Sequence, residues 1–234
     1  MLGTIDYDAL KTLRVPLKHG GDFRSEECIN YLQQADIVIT NPPFSLFREY
    51  MAQLMKYKKQ FLIIGNENAI TYKEIFPLFQ QNKLWFGYNN GHYWFRVPSS
   101  YGAKKTDYKV DDEGNTWRRM GNIGWFTNID IEKRHQSLDL VFRYENHEHD
   151  YPTYDNYDAI EVSRFANIPS DYMGIMGVPV TFVNHYNPDQ FEIIGLDAFM
   201  PDIKKGRMYV NGKRKFARIL IRRRNTKETE SKVN

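Results

Sequence analysis

Three β-branched residues, Ile37, Val38 and Ile39, run directly into Thr40-Asn41-Pro42-Pro43-Phe44, and no other stretch restricts the fold of this chain as tightly. The apolar run reads as a strand buried on both faces of a parallel sheet. It cannot continue past Asn41, because the two prolines lack amide hydrogens and fix φ, and Pro42 disfavours α geometry at Asn41. The outcome is a stiff loop at the carboxyl end of a strand, where open α/β sheets bind their ligands.

The flanking segments fit such a sheet. Ser25 is placed to cap a helix that carries Glu26 and Glu27 in its first turn and reaches about Gln34, with Ile29 and Leu32 facing the core and Cys28 a buried small apolar residue. After the loop, Phe47, Tyr50, Met51, Leu54 and Met55 recur at helical spacing within Leu46–Tyr57. Phe61-Leu-Ile-Ile64 then supplies a second apolar run, which completes a βαβ unit and implies parallel pairing. A helix with a distortion at Pro77 is expected over Thr71–Gln81, and Leu13, Val15 and Leu17 suggest a short strand near the start.

Beyond residue 83 the reading is of strands. Leu84–Tyr88 and His92–Val97 flank Asn89-Asn90-Gly91 as two strands around a turn or one strand entering an irregular hairpin, with their aromatic side chains in the sheet core. Ser99–Thr116 is polar and reads as an exposed loop, and Gly124–Asp130 as a further strand completing an antiparallel edge. Val178–Val183, Phe191–Gly195 and Phe216–Ile221 read as strands, Tyr209-Val-Asn-Gly-Lys213 as a hairpin turn, and the tail from Asn225 as frayed. The fold expected is α/β: a partial Rossmann-like sheet, mostly parallel with an antiparallel edge, over 1–135, and a β-rich region over 136–234.

Composition narrows the classes of function. With 41% hydrophobic residues in 234, the chain can bury a large core. A net charge of +3 is compatible with nucleic acid without requiring it. Cys28 is the single cysteine, so an intrachain disulfide and a cysteine-only metal site are excluded, and a cytoplasmic location is expected. There is no apolar run of membrane-spanning length and no signal-peptide core. His147-Glu148-His149-Asp150 reads as a solvated charged run, so no metal is expected, and Arg222-Arg223-Arg224 reads either as a phosphate contact or as a solvated strand end.

The loop also carries chemistry. The Asn41 side-chain oxygen and the Pro42 carbonyl are acceptors that a rigid turn can aim at one point, which suits an amino group, and Phe44 offers a flat face for the planar ring bearing it. This Asn-Pro-Pro-Phe signature resembles that of S-adenosylmethionine-dependent amino-methyltransferases. Gly21-Asp-Phe-Arg-Ser25, Asn41–Tyr50, Phe61–Asn66, Ala69–Tyr72, Trp125–Asn128 and Tyr154–Asp158 extend the resemblance along nearly the whole chain to the EcoRI-type adenine-specific DNA methyltransferases.

The resemblance implies S-adenosylmethionine as donor and double-stranded DNA as partner, with an adenine flipped from the helix as acceptor. It also implies a carboxyl-terminal region that helps select the target, and a possible companion restriction endonuclease. It places Asn41, Pro42 and Phe44 at the reacting base, and Asp22 beside the adenine of the donor. No cysteine lies near Asn41, as methylation at a pyrimidine ring carbon would need. Enzymes of this order carry a Phe-x-Gly-x-Gly loop and a later acidic residue ahead of the catalytic strand. Neither precedes Asn41, so a chain lacking its amino-terminal donor-binding portion is expected. Two other classes stay open: a non-catalytic DNA-binding remnant, and an amino-methyltransferase acting on RNA or on protein glutamine.

Overall fold

The computed structural model describes residues 16–225 save 19, 204 and 205, so the strand expected at Leu13 and Val15 and most of the tail after Asn225 lie outside the described residues. Its first sheet begins with β1 (Ile37–Thr40) and β2 (Gln60–Asn66), paired in parallel with Thr40 opposite Ile63. Helix α1 (Glu26–Gln34) precedes β1 and α2 (Phe47–Lys56) joins it to β2. The Ser25 hydroxyl accepts the Cys28 amide at 3.3 Å, as an N-cap should. Lys59 donates to the carbonyls of Gln33 and Ala35 at 2.8 and 2.7 Å, placing a cation at the negative end of α1 and tying it to the start of β2.

The sheet continues through β3 (Trp85–Val97), β4 (Tyr108–Val110) and β5 (Thr116–Thr127), in the order β1-β2-β5-β3 with β4 also on β5. Because β2, β3 and β4 all pair antiparallel with β5, the first four strands run one way and only β5 is reversed. The expected mixed, mostly parallel sheet is present, but the reversed strand lies inside it rather than at its edge. The turn read at Asn89–Gly91 is absent. The chain instead stays extended for 13 residues, absorbing the irregularity as register shifts between Phe86 and Asn90 and between Gly91 and Tyr93.

Two local expectations are corrected by hydrogen bonding. Ser99–Thr116 is not all loop, because Asp111 gathers the turn after β4: its carboxylate accepts the backbone amides of Glu113 and Asn115 and the Trp117 indole N–H. Those contacts hold the Asp111 carboxyl down to about 2, the Trp117 bond contributing most. Pro77 does not distort a helix interior. It stands in the first turn of α3 (Phe76–Gln80), where its missing amide costs nothing, after a 3-10 turn over Glu67–Thr71.

A second sheet is built from β6 (Thr153–Tyr154), β7 (Tyr157–Glu161), β8 (Met176–Pro179), β9 (Phe191–Leu196) and β12 (Arg218–Arg223), ordered β6-β7-β8-β12-β9. The hairpin β10 (Tyr209–Val210) and β11 (Lys213–Arg214) turns at Asn211 and Gly212, both at positive φ, as the Asn-Gly pair predicts. Of the run Val178–Val183 only the start is strand, and a 3-10 helix takes over at Val180. Phe216 precedes β12 and is exposed.

One apolar core runs from Leu32 and Phe47 to Phe182, Phe191 and Ile221, so both sheets share it. Its centre is aromatic, with Phe126 packed 4.9 Å from Phe47 and 4.8 Å from Phe86 between ring centres. No helix among the described residues is long and apolar enough to cross a membrane.

The second sheet also encloses an ion pair. Glu161 and Arg218 are almost fully buried, and the guanidinium meets the carboxylate twice, at 2.6 and 3.0 Å, while the Tyr154 hydroxyl donates to the same carboxylate. Burial alone would raise the Glu161 carboxyl, but the bonds from Arg218 and Tyr154 prevail and hold it below its ordinary value. Arg218→Met is therefore expected to destabilise the fold by roughly 3–5 kcal/mol, since it strands a buried charge, whereas Glu161→Gln combined with Arg218→Met recovers part of the loss. Equilibrium chemical denaturation of the two variants checks this.

Candidate active site

Strand β1 stops where the sequence says it must, and Pro42, buried, begins the loop that leads through a 3-10 turn (Phe44–Leu46) into α2. Loop and groove meet at the carboxyl end of β1. The groove there encloses about 770 Å³ and is walled by Ile37–Pro43 on one side and by Gly20–Phe23 and α1 on the other, with Tyr50 and Gln53 of α2 closing it. Its volume lies in the range that holds a cofactor-sized ligand.

The wall explains a correction. β1 is an edge strand among the described residues, paired on one side only, so Ile37 and Ile39 do not lie in a covered sheet; Ile39 is 68% exposed and lines the groove. Cys28 is likewise half-buried on the groove wall instead of enclosed in the core.

Asn41 is exposed, and among the described residues no hydrogen bond engages its side chain or the Pro42 carbonyl. Phe44 is 41% exposed and is not among the residues that line the groove holding Asn41 and Pro42.

Asp22 lies across the groove from that loop. The Arg24 side chain donates to both its oxygens at 3.0 and 2.8 Å, and the Arg24 amide donates to Oδ1, which together hold the carboxyl down to about 2. The turn bearing Asp22 is clasped to α2 by Gln53, which donates to the Phe23 carbonyl at 2.9 Å, by the Arg24–Glu49 ion pair and by the Phe23 ring edge-on to Tyr50. The structure thus brings Asp22, Asn41 and Pro42 onto one groove and leaves Phe44, exposed, outside its lining.

Residues 2–224 match the sequence profile of the family described as adenine-specific methyltransferase EcoRI. The chain belongs to this family. It is 48% identical to Type II methyltransferase M.EcoRI of Escherichia coli over 86% of its own length and 62% of that protein's. It is 40% identical to Type II methyltransferase M.MgeORF184P of Mycoplasma genitalium and 38% identical to Type II methyltransferase M.MpnI of Mycoplasma pneumoniae, covering 93% and 94% of this chain and 74% of each relative. The chain therefore spans less than two thirds of the length of M.EcoRI. No solved structure matches it.

Within this EcoRI-family chain, two features escaped the sequence reading. Glu67 follows the carboxyl end of β2, the strand beside β1; burial pushes its carboxyl above the ordinary range, and Oε1 has no hydrogen-bond partner among the described residues. No signal in the sequence marks it, since burial arises from strands distant in sequence. The other is Gly65, where a Cβ would come within 2.5 Å of the Phe47 ring and 2.8 Å of the Phe126 ring. Phe47, at the start of α2, anchors the loop from beneath.

Elsewhere, His147 and His149 pair weakly with Asp150 at 3.9 and 3.5 Å, and no cluster of three metal-binding side chains occurs among the described residues. Arg222 pairs with Glu192, Arg223 donates to the Ser170 carbonyl and Arg224 to those of Pro188 and Phe191, which favours the strand-end reading of the arginine run. Gly65→Ala is expected to destabilise the protein by about 1–3 kcal/mol, as overpacking does, by displacing Phe47 beneath the loop. Thermal unfolding of the variant beside the wild type tests this.

Proposed function

We propose that the chain acts as a site-specific DNA adenine N(6)-methyltransferase, with S-adenosylmethionine as donor, double-stranded DNA as partner and a flipped adenine as acceptor. The observation that carries the reading is the rigid Asn41-Pro42 pair of acceptors, unengaged among the described residues, at the carboxyl end of β1 and lining a cofactor-sized groove. Family membership supports it. A nuclease that cuts the same DNA site is the companion such an enzyme would protect against.

The groove fits an adenosine-bearing donor in size and in character: apolar side chains of Ile37, Ile39 and Tyr31 form its walls, and a carboxylate, Asp22, sits at its rim. When bound, S-adenosylmethionine supplies a methyl group on a positively charged sulfur. Asp22, fixed by Arg24, would accept a hydrogen bond from the donor at Oδ2, which takes one bond from Arg24 where Oδ1 takes two.

An adenine in a duplex must leave the stack to reach the loop, at a cost of a few kcal/mol. Phe44 offsets that cost by stacking, which contributes about 1–3 kcal/mol per base. Asn41 Oδ1 and the Pro42 carbonyl accept the two amino hydrogens and aim the nitrogen lone pair toward the groove. Orientation of this kind can contribute on the order of 7–11 kcal/mol to catalysis. The amine sheds its extra proton readily once methylated, so no side chain is assigned as a strong base.

The test is methyl transfer to duplex oligonucleotides with mass analysis of the nucleosides, beside calorimetry with the donor. Asn41→Ala should keep donor affinity and cut turnover by roughly 10²–10³-fold, the usual effect of losing a preorganised polar contact. Wild-type turnover in that variant would remove Asn41 from the chemistry, and a product other than N(6)-methyladenine would overturn the reading.

A further inference from the structure

Register places part of the first sheet outside its body. β2 ends at Asn66, which lies opposite Ile123 of β5, and Ile123 in turn lies opposite Gly91 of β3. Residues 92–97 of β3 and 116–120 of β5 therefore run on beyond the carboxyl end of β2, joined there by β4. This is the edge at which β1, parallel to β2, delivers Asn41. Six residues of strand extend about 20 Å, so a three-stranded arm projects beside the loop.

Side chains on the arm are not covered as those of a core sheet are. Trp94 and Phe95, successive residues on opposite faces, are 40% and 42% exposed, and Val110 and Met120 are exposed as well. One face is cationic and aromatic. Lys109 stands 4.7 Å from the Trp94 ring centre and 5.9 Å from that of Trp117, while Arg96 lies opposite Trp117 and Arg119 opposite Trp94 in register, which puts all five on one side. Arg119 is paired with Asp107, but Arg96 and Lys109 have no ion-pair partner among the described residues. Of the remaining acids on the arm, Asp111 is engaged by its own turn and by Trp117, and Asp112 and Glu113 sit in that turn.

We infer that this arm, through Arg96, Lys109 and Trp94, grips the DNA duplex beside the flipped base. The inference rests on the reading of the chain as a DNA methyltransferase. Charge selects the partner, since two unpaired cations on an open strand face suit a polyanion. The secondary structure agrees, because strands and sheets serve other proteins as groove-reading elements on DNA. The exposed tryptophan gives an apolar contact to sugar or base, which a purely ionic surface lacks. Position adds the function: a duplex presenting a base to Asn41 must pass the edge from which the arm springs.

The experiment compares the chain with an Arg96→Ala/Lys109→Ala variant, and with Lys56→Ala/Lys83→Ala, which removes two charges at the opposite edge of the sheet. Duplex affinity is read by fluorescence anisotropy over a series of salt concentrations, with circular dichroism to confirm folding and a Trp94→Ala variant as a third, uncharged probe. Each lost phosphate contact lowers the slope of log affinity against log salt by about 0.9, so the arm variant should lose roughly 1.8 from the slope and at least tenfold in affinity at low salt. The comparator should keep both, and Trp94→Ala should weaken binding with the slope intact. Equal slopes in wild type and arm variant would overturn the inference and leave the methyltransferase reading standing. An arm variant that keeps DNA affinity but loses self-association in sedimentation velocity would also overturn it, marking a protein interface instead. Failure of the wild-type chain to bind duplex at any salt would overturn the reading of function, and the arm's role with it.

Discussion

β5 is the strand on which the rest of the sheet depends. It is hydrogen-bonded to β2 on one side and β3 on the other through Gly124–Thr127, and its outer half bonds β3 and β4. A reversed strand inside a sheet of otherwise aligned strands satisfies its own amides and those of two neighbours at once. It also lets two strands outrun the others without exposing an unpaired edge between them. Body and arm are therefore one ladder of hydrogen bonds, and the position of the arm relative to the β1 loop is set by register instead of by a flexible hinge.

The loop itself is held by packing from below and hydrogen bonds from the side. Phe47 lies in the aromatic centre with Phe126, and the absence of a Cβ at Gly65 lets the strand approach that ring. Thr127 and Asn128 bond the backbone at Phe61 and Lys59, fixing β2 at its start. Across the groove, Gln53 holds the turn bearing Asp22 to α2, the same helix that begins under the loop. Both walls thus refer to one helix, which keeps the acceptors Asn41 and Pro42 at a fixed distance from Asp22. The second sheet shares the apolar core, and Asn90 of β3 donates to Asn184 in the 3-10 helix that follows β8. That bond ties the root of the arm to the carboxyl-terminal half.

Local signals were legible wherever a short stretch of chain decides its own conformation. The Ser25 cap, the helix after the loop, the parallel β1–β2 pair, the Asn211-Gly212 turn and the stop at Asn41 all follow from side chains within a few residues of one another. Asn41 and Pro42 could be nominated for the same reason, Asp22 only through the family resemblance, and the fold brought those three to one groove. Phe44 was grouped with them for its flat face and through the family motif; it begins the 3-10 turn after the loop and is exposed, outside the groove lining.

What misled was pattern without partner. Ile37-Val-Ile reads the same whether one neighbour or two flank the strand, and the aromatic run from Trp85 to Phe95 reads as core whether or not a layer covers it. Asp111 lies in a stretch rich in loop residues, and only the return of β5 supplies the indole it accepts from. The sequence by itself determined the elements, the rigid loop and the residue types at the groove, because these depend on backbone sterics and local hydrogen bonds. Only the tertiary structure decided which strand is reversed, which apolar faces stay open and that an arm stands beside the loop, because register and coverage are set by pairings between residues far apart in the chain.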